Sequence, residues 1–226
     1  MKSKTEALFD DIPLETWKLV LNENMDYHFN DKIFHNPIFE NVSTVLDVGC
    51  GWGGSLRDLK KLYNIEATGL TESLQQYEYI TEHDVILADA NTWVSDRIFD
   101  LVMFIQTFTH MEDQALVLRS YNTDKIFVSD FMIKDKQEKV VPDWKMVIRT
   151  EDQYRNLFEK IGFDIKSFKV QPRSMYKRNA KFWLKNIQKN KVTNGWQINV
   201  LERFCKDILS NRHHNIFICD IYAERM

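Results

Sequence analysis

The sequence predicts an α/β protein built on a doubly wound, mainly parallel sheet of seven strands. Short apolar runs alternate with helix-compatible segments through short connections, which is the pattern of strands linked by crossover helices. A glycine-rich turn follows the first apolar run, as in α/β proteins whose backbone approaches a ligand closely. The chain has 226 residues, of which 44% are hydrophobic and 28% charged. This length and composition suit one α/β core with modest additions.

The elements follow one another in a regular order. Residues 1–40 are predicted to form an N-terminal cap with a helix over 14–21. Predicted strands cover 44–48, 67–70, 85–87, 99–105, 125–131, 164–170 and 215–223, and predicted helices cover 55–63, 73–79 and 114–121. A further helix begins at a capping box, Thr150 with Gln153, and ends before Gly162. The predicted division is a cap at 1–40, a core at 41–170, a helical cover at 171–214 and a closing strand at 215–226.

The turn after the first strand is the most informative motif of the chain. Asp47 lies near the end of the strand, and the turn that follows contains Gly49, Gly51 and Gly53. The spacing differs from the Gly-x-Gly-x-x-Gly of dinucleotide-binding turns. It resembles the Asp-x-Gly-x-Gly-x-Gly loop of class I S-adenosylmethionine (SAM)-dependent methyltransferases. The resemblance implies a Rossmann-like methyltransferase fold with SAM as cofactor, and it implies that this loop holds the amino-acid end of SAM.

A second motif follows the second strand. Thr71 ends that strand, Glu72 comes next, and Gln76 lies in the following helix. The segment resembles the Gly-x-Thr-x-Ser-x-x-Gln pattern of the cyclopropane-fatty-acid-synthase-like branch of the class. The resemblance implies that Thr71 and Gln76 bind the ribose hydroxyls of SAM, with Glu72 as the alternative, since hydroxyl and amide groups can hydrogen-bond a ribose.

The third strand runs into Asp89 and Ala90. In the family that this segment resembles, an Asp at this place receives the adenine amino group and the next backbone N–H meets the ring. The alternative is that Asp89 caps the turn that follows it.

The fourth strand leads to Gln106 and His110. The resemblance places Gln106 under the sulfonium of SAM, at the carboxyl end of the sheet. It implies for His110 a position near the methyl-transfer centre, either as a general base or as an orienting residue. The cyclopropane-synthase branch carries Phe-Glu-His here, whereas this chain has Thr109 in place of the Glu. That departure weakens a fatty-acid interpretation.

The segment before the first strand contains Tyr27 and His28. It resembles the His-Tyr-Gly-Tyr/Phe patch that closes over SAM in the small-molecule branch, although His28 stands where Gly would be. The resemblance implies Tyr27 as a lid residue, the alternative being an aromatic anchor for the cap. His28 is a further candidate for a general base because an unperturbed histidine titrates near neutrality.

Residues 171–191 contain no acid and carry cations interleaved with aromatic side chains. Such a face could attract an anionic substrate, nucleic acid or an acidic lipid surface. The alternative is an ordinary helix whose charges face solvent while its apolar residues pack inward. In position the segment matches the substrate cover of family members, so we expect Tyr176, Trp183 and Trp196 to belong to that cover.

Composition limits the other possibilities. Cys50 lies inside the glycine turn, among the expected cofactor-binding residues, and with Cys205 and Cys219 it shows no metal or disulfide spacing. We therefore expect no metal and a reducing, cytoplasmic environment. No apolar run approaches the ~20 residues that span a bilayer. The formal charge of −3 gives no global reason to expect nucleic acid.

The resemblance and these features together predict a SAM-dependent methyltransferase, a monomer or homodimer, that acts on a small, largely apolar or aromatic organic molecule. Two other activities stay open. One is methylation of a nucleic acid or protein that uses the basic face of 171–191, and the other is a lipid methyltransferase similar to the cyclopropane synthases. A SAM-binding module without activity is the third alternative.

Overall fold

The centre of the molecule is a seven-stranded sheet with the order β3-β2-β1-β4-β5-β9-β8. We describe a computed structural model over residues 10–21, 25, 33–135, 138–141, 146–192, 195–210, 212 and 215–226. The strands of the sheet are β1 Thr44–Val48, β2 Glu66–Thr71, β3 Asp84–Leu87, β4 Leu101–Ile105, β5 Lys125–Ile133, β8 Phe163–Val170 and β9 Ile216–Arg225. Strand β9 is antiparallel to both of its neighbours, and the others run parallel. The predicted mainly parallel, seven-stranded α/β fold is confirmed.

Helices cover both faces of the sheet, as the alternating pattern predicts. They are α1 Leu14–Val20, α2 Gly54–Tyr63, α3 Leu74–Tyr79, α4 Gln114–Arg119, α5 Glu151–Lys160, α6 Arg173–Lys189 and α7 Trp196–Leu209. Single 3-10 turns lie at Pro37–Phe39 and Phe108–His110. The capping box of α5 forms as expected, with both Thr150 and Gln153 making their reciprocal hydrogen bonds.

Most predicted elements match the structure to within two residues at either end, and two differences have a physical explanation. The fourth strand begins at Leu101 instead of 99, because the Asp100 carboxylate accepts the backbone N–H groups of Ser43 and Thr44, at 2.7 and 2.9 Å, and turns the chain into the sheet. A small separate hairpin, β6 Lys139–Val141 with β7 Met146–Ile148, was not predicted. Three residues are too few for a period-two pattern to be recognised in a sequence.

Two hydrophobic cores fill the space between sheet and helices. One contains apolar residues of α1, α2, α6 and α7, and the other contains those of α4 and α5. Helix α1 is tied to the end of α6, where the side-chain amide of Asn186 donates to the Val20 carbonyl at 3.0 Å and that of Asn190 donates to the Leu19 carbonyl at 2.8 Å. The described part of the cap and helix α6 therefore belong to one packed layer.

Among the helices in the described ranges, none has the length and apolar character needed to cross a membrane.

Candidate functional site

A cavity of about 270 Å³ lies where the carboxyl ends of β1, β2 and β4 meet. Parallel strands end at the same edge of a sheet, so residues distant in sequence converge there. Two parts of the lining differ in chemistry. The first, which we call the glycine wall, consists of Asp47, Gly49, Cys50, Gly51, Thr71, Gln76 and Asp89. The second, the aromatic wall, consists of Trp17, Phe131, Met146, Trp183 and Phe204.

The conformation of the glycine turn is fixed by a close contact with the segment after β4. Gly49 has a φ of +75°, and a Cβ added there would lie 2.4 Å from Cγ2 of Thr107. The Thr107 hydroxyl in turn donates to the Val48 carbonyl at 2.6 Å. Only glycine fits a position that combines a left-handed backbone with this crowding. Gly51, with a φ of +56°, lines the cavity, whereas Gly53 caps α2 and lies outside the lining.

Asp47 presents an unpartnered oxygen to the site. Its side chain is 1% exposed, and Oδ2 accepts a short hydrogen bond from the Ser55 hydroxyl. Oδ1 has no hydrogen-bond partner among the described residues. Burial raises the pKa of Asp47 to about 7, although the Ser55 hydrogen bond acts in the opposite direction. The glycine wall therefore contains a buried acceptor whose charge changes near neutral pH.

Cys50 is neutral in this wall. Burial, and secondarily the nearby Asp47 carboxylate, raises the pKa of its thiol well above the usual value. Because the thiolate is the reactive form of cysteine, Cys50 acts as an apolar part of the lining.

Thr71 orients Gln76 so that the amide nitrogen is left available. The Thr71 hydroxyl donates to Oε1 of Gln76 at 2.8 Å and itself accepts from the backbone N–H of Ser73 at 3.2 Å. Nε2 of Gln76 is buried and has no partner in the described structure. Unpaired buried donors are rare because each one costs desolvation free energy, so this nitrogen marks a place for a ligand acceptor. Glu72 is half-buried and also lines the cavity.

Asp89 has the capping role that the sequence left as an alternative, and it also lines the cavity, where its adenine-binding role stays a prediction. Its Oδ1 accepts the backbone N–H and the side-chain amide of Asn91, each at 2.9 Å, so it does cap the following turn. Asp89 nevertheless lines the cavity together with Ala90 and Asn91. Asn91 was missed in the sequence analysis because an Asn in a turn is usually explained by the turn itself.

Gln106 and His110 reach the cavity from the segment after β4. Gln106 has a φ of +57°, which is unusual for a residue with a side chain, and its N–H donates to the Ser129 carbonyl at 2.8 Å. His110 is the last residue of the 3-10 turn and is half-buried in the lining. The structure therefore brings both residues to the cavity, as expected. Tyr27 and His28 lie outside the described residues.

One of the three expected cover aromatics, Trp183 in α6, lines the cavity. Tyr176 does not, because it lies two helical turns earlier, about 10 Å along the axis, where its hydroxyl donates to the Ile216 carbonyl at 3.0 Å. Trp196 is the first residue of α7, is 51% exposed and lies outside the lining. Of the three aromatics assigned to the cover, Trp183 alone is in a position to contact a ligand in this cavity, and a cover role for Tyr176 and Trp196 stays a prediction.

Most of the aromatic wall could not be assigned from the sequence. Phe131 comes from β5 and Phe204 from α7, and their rings pack edge to face with centroids 6.0 Å apart. Met146 comes from the unpredicted hairpin. Apolar side chains at helical or strand spacing predict burial equally well in a core and in a cavity wall, so no sequence signal separates the two.

Comparison with known proteins agrees with this arrangement. The model of the family described as mycolic acid cyclopropane synthetase matches residues 23–101. A probable (S)-tetrahydroprotoberberine N-methyltransferase from Papaver bracteatum is 37% identical over 90 residues, which are 35% of this chain and 25% of that protein. (S)-Coclaurine N-methyltransferase from Papaver somniferum is 25% identical over 179 residues, which are 66% of this chain and 50% of that protein. The chain thus matches a quarter to a half of the length of these two relatives.

Solved structures match over nearly the whole chain. Coclaurine N-methyltransferase bound to N-methylheliamine and S-adenosylhomocysteine (SAH) superposes with a TM-score of 0.77 at 18% identity and covers 100% of this chain and 83% of that one. The cyclopropane synthase MmaA2 from Mycobacterium tuberculosis gives a TM-score of 0.75 at 17% identity, with 97% of each chain covered. At such identities the likeness establishes the fold.

The chain therefore has the class I SAM-dependent methyltransferase fold. In sequence, residues 23–101 are similar to the mycolic acid cyclopropane synthetase family, and a stretch of 90 residues is similar to a probable (S)-tetrahydroprotoberberine N-methyltransferase.

Proposed function

We propose that the protein is a SAM-dependent methyltransferase that transfers a methyl group to a small organic acceptor with a largely apolar or aromatic body. The observation that carries the proposal is the composition of the cavity. Its glycine wall combines a tight backbone turn with unpartnered polar atoms, and its aromatic wall is apolar.

The glycine wall fits SAM group by group. The free Oδ1 of Asp47 suits an ammonium group, and the turn from Gly49 to Gly51 offers backbone without side chains to the rest of the methionine moiety. Nε2 of Gln76 is a donor for a ribose hydroxyl, with Thr71 holding it in place. Asp89 and Ala90 line the part of the cavity that follows β3, which suits the adenine ring.

The aromatic wall supports an apolar or aromatic acceptor. Trp17 and Trp183 come from α1 and α6, and Phe204 and Phe131 present two rings in edge contact. Flat rings bury much area and also attract cations through their π faces, so an aromatic amine is within the range of acceptors. Several of the similar proteins carry names of alkaloid N-methyltransferases, which supports the same substrate class.

The protein's own contribution to the reaction is positioning, exclusion of water and control of a proton. SAM, when bound, supplies a methyl group on a positively charged sulfur. The aromatic wall keeps water from the acceptor and aligns its nucleophilic atom, which is the main requirement of an in-line displacement. His110 can accept a proton from an acceptor that carries one on the attacking atom.

The structure favours the interpretation in which the charged side chains of residues 171–191 face solvent. Arg178, Lys181 and Lys185 of α6 are exposed, whereas Trp183 and Ile187 of the same helix are buried. The buried side of α6 supplies the cavity lining, and the exposed cations lie outside it. This arrangement supports a role for α6 as a cover over the cavity.

A screen for methyl transfer tests the proposal. The purified chain is incubated with a host metabolite extract and SAM labelled at its methyl group, and labelled small molecules are identified. We expect one or a few apolar products in the wild type, and loss of product in His110→Ala with unchanged SAM binding if His110 is a base. The acid-side limb near neutral pH in the wild-type rate profile, where the base becomes protonated, should then disappear in that variant. Labelling confined to nucleic acid or protein added to the assay would contradict the proposed acceptor class.

A further inference from the structure

The turn that carries His110 is fixed by contacts outside the cavity. The Phe108 ring is buried in the second core beside Phe104 and Tyr154, at centroid distances of 5.1 and 6.2 Å. The Phe108 carbonyl accepts from the side-chain amide of Gln114 at 3.0 Å. Of the three residues in the turn, His110 alone belongs to the cavity lining. The orientation of this imidazole therefore depends on how firmly the two preceding residues are held.

Thr109 connects the turn to strand β5 through one carboxylate. Its backbone N–H donates to Oδ2 of Asp130 at 2.9 Å, and its hydroxyl donates to Oδ1 at 3.0 Å. Oδ1 also accepts the backbone N–H of Phe131 at 2.7 Å, and Phe131 is part of the aromatic wall. Thr109 and Asp130 are both fully buried. A single carboxylate thus links the residue before His110 to a residue that contacts the ligand space.

Holding the turn with a buried carboxylate costs desolvation free energy. Burial raises the pKa of Asp130 to about 6, with hydrogen bonds from Thr109 and Phe131 lowering it. An apolar side chain of similar size would avoid that desolvation cost. The carboxylate fixes the orientation of Thr109, because charge-assisted hydrogen bonds are short and strong. Two of the hydrogen bonds that Asp130 accepts come from Thr109.

We propose that Asp130 is a positioning residue, which acts through Thr109 to hold the His110 imidazole at the methyl-transfer centre. The inference rests on the proposed function, since it assigns His110 to that centre. Thr109 is also the residue at which this chain departs from the Phe-Glu-His pattern of the cyclopropane-synthase branch. In this chain the carboxylate beside the turn comes from the neighbouring strand.

Three variants and one matched control test the assignment. Asp130→Asn replaces one carboxylate oxygen by an NH2 group, so either the Thr109 N–H, now on Oδ2, or the Phe131 N–H, now on Oδ1, loses its acceptor. Thr109→Val removes only the hydroxyl, and Thr109→Ser restores it. The control is Asp220→Asn in β9. Asp220 is also buried, accepts the Ser129 hydroxyl at 2.8 Å and a side-chain amide hydrogen of Gln171, and lies outside the cavity lining.

The first readout needs no acceptor. Imidazole resonances of the SAH-titrated protein are followed by ¹⁵N NMR over pH, and the His110 signal is identified by its loss in His110→Gln. We expect the His110 signal and its titration curve to move in Asp130→Asn and Thr109→Val, and to stay in place in Thr109→Ser and Asp220→Asn. Equal stability losses in the two Asn variants with an unmoved His110 signal would overturn the assignment and leave Asp130 a purely structural residue.

The second readout is methyl incorporation into the extract product. A group misplaced by ~1 Å can lose up to about 100-fold in rate, so we expect kcat to fall about 10- to 100-fold in Asp130→Asn with an unchanged Kd for SAH. Thr109→Ser should restore most of the rate lost in Thr109→Val. A loss confined to SAH affinity would contradict the proposal. If the wild type transfers no methyl group, the proposed function fails, while the NMR result still decides whether Asp130 orients His110.

Discussion

The two walls of the cavity are built in different ways. Most residues of the glycine wall come from one stretch of the chain, 47–76, and they lie at the ends of two adjacent strands. The aromatic wall is assembled from α1, β5, the β6–β7 hairpin, α6 and α7, which span nearly the whole chain. Under the proposed function, recognition of SAM is encoded in short local motifs, whereas recognition of the acceptor depends on long-range packing.

The glycine wall also differs from the aromatic wall in the chemical groups that it offers to a ligand. Among the described residues, Oδ1 of Asp47 and Nε2 of Gln76 have no hydrogen-bond partner, whereas in the unfolded chain both atoms would bind water. The aromatic wall gains free energy from its own ring contacts even without a ligand. We therefore expect variants of the glycine wall to change cofactor affinity and variants of the aromatic wall to change acceptor choice.

The largest effect should come from Gly49→Ala. Its Cβ would lie 2.4 Å from Thr107 at a φ of +75°, so the turn must move and SAM binding should be lost. The matched control is Gly162→Ala, which has a φ of +85° but no atom within 4 Å of the new Cβ. Both substitutions strain the backbone, by roughly 1 kcal/mol, but only Gly49→Ala adds crowding. Titration calorimetry with SAM should show binding in the control alone, and equal binding in both would mean that the turn does not contact the ligand.

A moderate effect is expected for Asp89→Ala. If Asp89 accepts a hydrogen bond from the cofactor, its loss should weaken SAM binding by about 1–3 kcal/mol. The comparison variant is Asp113→Ala, since Asp113 also caps a turn of helix, accepting the Leu116 N–H at 3.0 Å, but is exposed and outside the lining. Asp113→Ala should lower only the unfolding free energy, by about 0.5–2 kcal/mol. Unchanged SAM affinity in Asp89→Ala would leave that residue with its capping role alone.

A smaller effect should appear in the pH dependence of binding. The pKa of Asp47 is raised to about 7, so part of the protein carries it protonated at neutral pH. The ammonium group of SAM favours the ionised carboxylate, so affinity should increase from about pH 6 to about pH 7.5, by at most tenfold per unit for a single proton. Asp47→Asn should remove this slope. A slope of the same size in Asp47→Asn would assign the proton to another group.

The ligand-free protein should respond to the same proton in the opposite direction. Because the folded state holds the Asp47 proton more tightly than the unfolded chain does, the contribution of Asp47 to the unfolding free energy decreases as pH rises from about 4 to about 7. Comparing urea unfolding of the wild type and Asp47→Asn across this range isolates that contribution.

The smallest effect is expected for the charges of α6. Reversing Lys181 and Lys185 to Glu changes the exposed face of the helix but not the Trp183 side. SAM affinity and methyl incorporation into the small-molecule extract should both stay within about twofold, since these charges are exposed, lie outside the cavity lining and are screened by salt. Tight RNA or DNA binding by the wild type that falls steeply with salt and is lost in this double variant would show instead that α6 is a nucleic-acid surface.

The same contrast explains what the sequence could predict. The strand–turn–helix at Gly49 and the Thr71–Gln76 spacing are local patterns, and the structure brings these residues to one cavity. Phe204, Met146 and the Asp130–Thr109 pair depend on which distant elements meet, and no local pattern carries that information. Tyr176 and Trp183 share a helical face, yet only Trp183 reaches the cavity, because position along the helix axis is set by tertiary packing.

The most direct test of the account is titration calorimetry of the whole chain with SAM and SAH, accompanied by thermal unfolding. The glycine wall predicts saturable binding of both ligands and a rise in Tm with each, since a ligand that binds only the folded state stabilises it. The absence of heat and of any Tm shift with either ligand would contradict the assignment of this cavity to SAM.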